Sequence, residues 1–500
     1  MKTINKYLLL AFTAVSVIAG CTKKNLIELN PEFILDAVSN PSSINQVEEV
    51  LTGAYTQIRS GSYYGDGSGS GWSLMPDMMS DNLLETNESL SNYNRLTDWT
   101  YDGDVALVTG MWEAPYKVIA HANIVLRDID KFTTPANQEK ANRIKGQAYA
   151  LRAHAHFDLF RFFAPVYTRT STTDLAVPYM TEFNVSPSVK PARLNNKEFY
   201  DKLFSDLTNA VQLLTNVDAT INPSGVKRPN VDLAGAKAIQ ARAYLYAAMW
   251  TEAIQAATDA IALRPITPVT GNFAGMYTEA TAGEIIWNAQ FDANQGGPGG
   301  GTYFSQNNRS AFRPAADVAT MAGITGLIQN TDIRYNAYFK TISGPNAVNR
   351  LVVSKYRGKG ALTDGNVNFP IYRTGEMYLI LAEAKARNTP AQEAQALADL
   401  NTLRSNRFPV YVPLVGLTGQ PLLNAIADER RRELFAEGHR FFDLKRTTRQ
   451  ITRTGDCGNV ALSPAGACSL VPTAREWALP IPSTETNVNG TIRAQQNPGY

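Results

Sequence analysis

Apolar residues recur at three- and four-residue spacing through much of this chain, the period of a helix with one buried face. The pattern predicts a helix in "INQVEEVLTGAYTQI", residues 44–58. Two longer ones follow, in "VALVTGMWEAPYKVIAHANIVLRDID" from residue 105 and "NQEKANRIKGQAYALRAHAHFDLFRFFA" from residue 137. Pro165 ends the second, since proline lacks the N–H that another turn needs. "NKEFYDKLFSDLTNAVQLL", 196–214, is a further helix with Asn195 or Asn196 as its N-cap. Residues 232–265 carry two helical stretches joined near Met249 and Trp250, with Ala241, Ala253 and Ala260 at close-packing positions, Tyr244 in the first helix and Pro265 closing the unit. That is the tetratricopeptide spacing. Residues 372–407 give a second such pair, with Pro390 between its helices. The expectation is scattered helix pairs, not a long solenoid. Alternation in "EIIWNAQF", 284–291, and "RLVVSKY", 350–356, predicts short strands. The fold class is mainly α: tetratricopeptide-like helix pairs, an irregular loop-rich region and a few short strands.

The N-terminus reads differently. Lys2 and Lys6 precede an apolar run from Tyr7 to about Ile18. That run is too short for a bilayer, which needs about 20 residues, and has the layout of an export signal. Ile18-Ala19-Gly20-Cys21 matches a bacterial lipobox, so residues 1–20 are expected to be removed and Cys21 to carry acyl (palmitate-type) chains as a membrane anchor. The anchored body then has balanced charge, because losing Lys2 and Lys6 takes two from 47 Lys+Arg against 45 Asp+Glu. A balanced body offers no electrostatic footprint for nucleic acid. Cys457 and Cys468, in "DCGNVALSPAGAC", are the remaining cysteines. In an exported chain a local pair reads as a disulfide, worth roughly 3 kcal/mol in the chain-entropy view.

The chemistry-bearing motifs are mostly negative. "GSGSG" at 67–71 is not a nucleophile elbow, no HExxH occurs, and "GGPGGG" lacks the Lys-Ser/Thr of a phosphate loop. "DGDVALVTGMWE" starts like a calcium loop but has Ala106 and Leu107 where oxygen ligands or the turn glycine belong. "HAH", 154–156, has the wrong spacing for metal ligands on one helix face, whereas His154 and Asp158 are four apart and suit a hydrogen-bonded pair. "ERRREL", 429–434, reads as an ion-pair network fixing helix ends. Neither a catalytic residue, a metal ligand nor a cofactor site is expected.

Several stretches together resemble the SusD/RagB family of outer-membrane nutrient-binding lipoproteins. They are "MWEAPYKVIAHANIVL", "GQAYALRAHAHFDLFRFFAPV", the pair ending at Pro265, "YRTGEMYLILAEAKAR", "ADERRRELFAEGHRFFDLKR", and the closing "ALPIPSTE" and "QNPGY". The resemblance implies a signal peptide at 1–20, an N-terminal region at 21–220 and a C-terminal region at 221–500. It implies a non-catalytic, lipid-anchored receptor at the outer membrane that captures oligosaccharides, or in some members peptides. Such receptors sit over a TonB-dependent transporter barrel and would meet it through their helical side. Lys23 and Lys24 depart from the acidic residues that often follow the anchor in surface-exposed members. A glycoside hydrolase lipoprotein and a pure protein-binding scaffold are the competing readings.

Aromatics in Gly/Ser-rich loops are the best ligand signal, because flat rings with polar tips match the C–H faces and hydroxyl rims of sugars. The candidates are Tyr63, Tyr64, Trp72, Tyr93 and Trp99 in a first loop region and Tyr303 and Phe304 in a second, with Asp81, Asn82, Asn307 and Arg309 as polar partners. Trp112 and Trp250, on helices, are read as core, and Trp287 as framework. The Pro/Asn-rich tail 478–500 is expected to wrap the surface.

Overall fold

The structure is a computed structural model, and it describes residues 40–65, 71–89, 93–186, 188–217, 221–222, 227–292, 297–298, 310–315, 327–343, 349–453, 457 and 467–500. The anchor candidate Cys21 and the second-loop candidates Tyr303, Phe304, Asn307 and Arg309 lie outside them.

Helix α1, Ile44–Ile58, starts where the Ser43 hydroxyl accepts the Gln46 N–H, and it buries Val47, Val50, Leu51, Ala54 and Ile58. It packs on α2, Ala106–Asp128, which in turn packs on α3, Gln138–Phe163. The second half of α3 is enclosed on nearly every side, so its polar groups must find partners inside. Arg152 donates to both oxygens of Asp206 at 2.8 and 2.6 Å. His156 accepts the Met180 N–H at Nε2, 2.9 Å, which leaves Nδ1 to donate to the Arg152 carbonyl at 2.8 Å. Both His156 ring nitrogens are thereby used in hydrogen bonds.

Of the two N-cap candidates for α4, Asn196–Leu214, Asn195 is the cap: its side chain and that of Glu198 bond each other's backbone N–H in a capping box. Asn196 turns inward and donates to the Val166 and Thr168 carbonyls. The pairs α5, Leu233–Tyr246, with α6, Trp250–Leu263, and α7, Thr374–Arg387, with α8, Glu393–Ser405, form where the spacing predicts. Buried Ala253, Ala256, Ala257 and Ala260 let α6 approach its neighbours closely. The expectation of scattered pairs is corrected in one respect. From α1 to α8 each helix packs on the next, and α6 abuts α7 although a long insertion separates them in sequence. Helices α9, Gly419–Glu433, and α10, Arg440–Arg446, complete the C-terminal part, with α9 against α7.

The strands among the described residues are short and make two-stranded antiparallel sheets. β1, Leu83–Glu85, pairs with β3, Phe312–Pro314; β2, Ile285–Ala289, pairs with β6, Phe369–Arg373; β4, Phe339–Ser343, pairs with β5, Asn349–Val353. Trp287 of β2 is fully buried and donates to the Pro229 carbonyl at 3.0 Å, a framework position.

The "ERRREL" network is present and buried. Glu433 accepts from Arg407, Arg334 at 2.7 Å, and Arg373. Glu429 pairs with Arg334, Arg404 and Arg432; Glu284 with Arg373 and Arg407; Glu437 with Arg373 and Lys355; Asp332 with Arg334. These bonds tie the end of α9 to β6, to the end of α8 and to the residue preceding β2. Gly375 is required at the start of α7, since a Cβ there would collide with Glu433 Oε1 and the Arg373 guanidinium. The tail runs over the surface as expected beyond residue 482, but it is anchored at buried positions. Leu479, Ile481, Ile492 and Asn497 are buried, and Asn497 Nδ2 donates to the Phe163 and Leu479 carbonyls. The C-terminus thus plugs the end of α3.

Candidate functional site

Of the first-loop aromatics, Tyr63, Tyr64, Trp72 and Trp99 are buried. Tyr63 and Tyr64 both donate to Asp158 Oδ2 on α3, at 2.8 and 2.7 Å, and Tyr63 is wholly buried. His154 Nε2 lies 3.3 Å from the same oxygen, and Arg161 pairs with the other. Burial alone would raise the Asp158 pKa, but His154, Arg161 and the Tyr64 hydroxyl outweigh it and hold the group ionised. Trp72 packs edge-on against Phe162, 4.5 Å between centroids, with the Arg161 guanidinium 5.3 Å from its ring. In this arrangement the three rings satisfy and cover a buried charge and present no face to a ligand.

Asp81 receives Arg440 through two bonds, 2.7 and 2.8 Å, and Arg431 donates to its carbonyl and to Asn82 Oδ1. Asn82 Nδ2 donates to Asp77, which also accepts the Ala436 and Gly438 N–H groups. Trp99 donates from Nε1 to the Met79 carbonyl and lies under the Arg453 guanidinium at 4.2 Å. Asp81, Asn82 and Trp99 therefore fasten the early chain to residues 431–453. Tyr93 alone of the described aromatic candidates is only half-buried, edge-on to Phe312 at 5.3 Å. Cys457 and Cys468 are joined in a disulfide with a Cα–Cα distance of 5.8 Å.

A cleft of about 780 Å³ opens beside the end of α3. Its walls are the segment after α3 (165–170), the α5–α6 turn, the last turn of α7, the end of α10, and Pro472 with Trp477. Pro165 stops α3 and frees its last carbonyls, which Lys445 caps by donating to Arg161 O at 3.0 Å and Ala164 O at 2.7 Å. Burial pushes the Lys445 pKa well below the ordinary lysine value. Glu383 takes a two-bond contact from Arg446, 2.7 Å each, and a third bond from Arg387 at 3.0 Å. Burial opposes its ionisation, but Arg446 and Arg387 prevail and bring its pKa to about 2. Tyr167, Tyr246, Trp250 and Trp477 supply ring surface. The Tyr246 hydroxyl is buried without a hydrogen-bond partner. Trp250, read from sequence as core, is half-buried at the start of α6 and lines this opening, because the tight turn before it places the first residue of the helix at the rim.

Sequence reasoning missed the cleft, whose walls come from five separate segments. The local signal was the cation-rich "DLKRTTR" beside "APVYTR". No group of three or more His, Cys, Asp and Glu among the described residues is arranged to hold a metal. No described helix is long and apolar enough to cross a membrane.

Residues 34–245 match the SusD-like family model described as "Starch-binding associating with outer membrane", and residues 325–500 match the SusD family model, SusD/RagB. The chain belongs to the SusD/RagB family. Among curated relatives of this SusD-like chain are SusD-like protein P2 of Formosa agariphila, 23% identical over 99% of this chain and 100% of that one, and SusD-like protein P38 of the same organism, 25% identical over 69% and 73%. The SusD-like fold is also evident in solved structures. A putative sugar binding protein from Bacteroides vulgatus has a TM-score of 0.75 at 25% identity, covering 92% of this chain and 99% of its own. Surface glycan-binding protein A from Bacteroides fluxus has a TM-score of 0.70 at 20% identity, covering 92% and 100%.

Proposed function

We propose that this SusD-like protein is a lipid-anchored outer-membrane receptor that captures oligosaccharides and hands them to a TonB-dependent barrel without turning them over. The observation that carries the reading is the pair of family matches, which together span both the early helices and the C-terminal network; one of the two family descriptions is starch-binding at the outer membrane. The solved relatives described as sugar- or glycan-binding support it. A binding role also agrees with the carboxyl groups. Hydrolysis of a glycosidic bond needs one carboxyl held protonated and a second ionised across the bond. Asp77 and Asp399 are the described carboxyls that burial pushes up, Asp77 to about 6, and neither lines the cleft. Asp77 is enclosed by its three donors, and Asp399 pairs with Lys385.

The test is mass spectrometry of a mixed glycan and peptide pool incubated with the mature chain, reading bound and unbound fractions. Intact oligosaccharide in the bound fraction, with the remaining pool unchanged, is the expected result. Retained peptide instead would assign the chain to the peptide-binding variant of the same receptor. Shortened glycans in the pool would overturn the non-catalytic reading. Acyl labelling lost in Cys21→Ser, and a barrel that copurifies from outer membranes, are the expected results for the anchor and the partner.

A further inference from the structure

The cleft beneath the α5–α6 turn has an excess of positive charge. Arg169, Arg387, Lys445, Arg446 and Arg449 line it against a single lining carboxylate, Glu383. Arg387 and Arg446 are neutralised by Glu383, and Arg446 also by Asp443 at 2.9 Å. The other three form no ion pair with any described residue. Lys445 donates only to backbone carbonyls, and Arg449 to the Asn424 side chain. Cations gathered in a partly enclosed cleft repel one another and favour a bound anion. The same wall holds a buried tyrosine hydroxyl that lacks a partner, although buried polar groups are ordinarily paired. Ring faces from Tyr167 and Trp250 supply apolar area beside the charge. The volume falls in the range of small-molecule sites, roughly 300–1,000 Å³.

We propose that this cleft binds an anionic saccharide, one carrying carboxylate or sulfate groups, with Arg169 and Arg449 facing the acid groups and the Tyr246 hydroxyl taking part in the polar contacts. The proposal deepens the receptor reading by naming the charge of the ligand, and it rests on that reading. Lysine and arginine differ in what they offer. The Arg169 and Arg449 forks suit two-bond recognition of a carboxylate or sulfate, while the Lys445 amino group is committed to the α3 carbonyls.

The experiment is calorimetric titration of the mature chain with oligogalacturonate, chondroitin sulfate oligosaccharides and neutral malto-oligosaccharides at two ionic strengths. Binding of one or both acidic series, weakening as salt rises, is expected, and the two acidic arms separate carboxylate from sulfate recognition. Arg169→Gln and Arg449→Gln should each weaken it by roughly tenfold, the scale of a charge-assisted hydrogen bond. Both side chains lie at the rim outside the buried ion pairs, so thermal unfolding should be unchanged and a folding defect is separable. Neutral saccharides bound in preference to acidic ones would overturn this inference and leave the receptor reading standing. Acidic saccharides bound with unchanged affinity by both variants would overturn the assignment of the cleft. No saccharide bound in any of the three series would overturn this inference and the oligosaccharide reading together.

Discussion

Replacing Glu433 by Gln tests whether the buried network is a structural clamp. Six cations (Arg334, Lys355, Arg373, Arg404, Arg407 and Arg432) there face five carboxylates (Glu284, Asp332, Glu429, Glu433 and Glu437). Glu433 is shared by three guanidinium groups, and its removal leaves none of them bare. Arg407 keeps Glu284, Arg373 keeps Glu284 and Glu437, and Arg334 keeps Asp332 and Glu429. The variant nevertheless leaves six cations facing four carboxylates, so one more buried positive charge goes uncompensated, and the expected loss is about 3–5 kcal/mol. The assay is urea unfolding, which does not screen charge, with the midpoint compared at equal slope. Lys197→Ala, which breaks the exposed Lys197–Asp201 pair, is the control and should shift the midpoint within scatter. The pH dependence has a defined sign. Burial would raise the Glu433 pKa, but Arg407, Arg373 and Arg334 outweigh it and hold it well below the usual range. Its contribution is complete above the unfolded value of about 4.3 and fades as pH falls below it. The gap between wild type and variant should close on acidification. A loss below about 1 kcal/mol at neutral pH, the level of a surface pair, would refute the clamp.

Three further outcomes are expected. Trp72→Ala should destabilise the protein by about 3–5 kcal/mol, as for other buried aromatics, and so would lower any binding signal through unfolding; a denaturation midpoint that did not move would contradict its placement. His154, which burial brings down to about 4 against the opposing pull of Asp158, should stay neutral at pH 6 by NMR. Because the unfolded ring takes up its proton near 6.5, the His154 contribution to stability should fall as pH drops from there towards 4; a ring titrating near 6.5 in the folded protein would refute this. Mass analysis of the native chain should find Cys457 and Cys468 alkylatable only after reduction, and reduction should cost at most roughly 3 kcal/mol; ready alkylation of both thiols in the native protein would argue against the bond.

The helices were legible because their signal is local. The spacing over 44–58 coincides with α1, and the alanine and proline positions of 232–265 locate the α5–α6 pair. The network was legible in part, since Glu429 and Glu433 share a helix face with arginines between them. Tyr63, Tyr64 and Trp72 were misread because glycine and serine around them suggest exposure, whereas their environment is decided by Asp158 and Arg161 far along the chain. Two charged residues in the otherwise apolar "FDLFRFF" were the available hint: a helix so apolar must be enclosed, and its charges then draw donors and rings from elsewhere. The cleft had a weaker signature, because the cations of "DLKRTTR" acquire meaning only when the fold brings Arg169 and Arg387 beside them.

The fastening of residues 77–99 by residues 431–453 has a consequence for the order in which the protein can mature. Synthesis and export are vectorial, so the early segment emerges with the Met78, Ser80 and Thr97 carbonyls and the Asp81 carboxylate still wet. Arg440 and Arg453, which later seal them, are among the last parts of the chain to appear. Prematurely terminated chains would retain unsealed polar groups in what should become the interior, and such chains are marked for proteolysis by their own incompleteness.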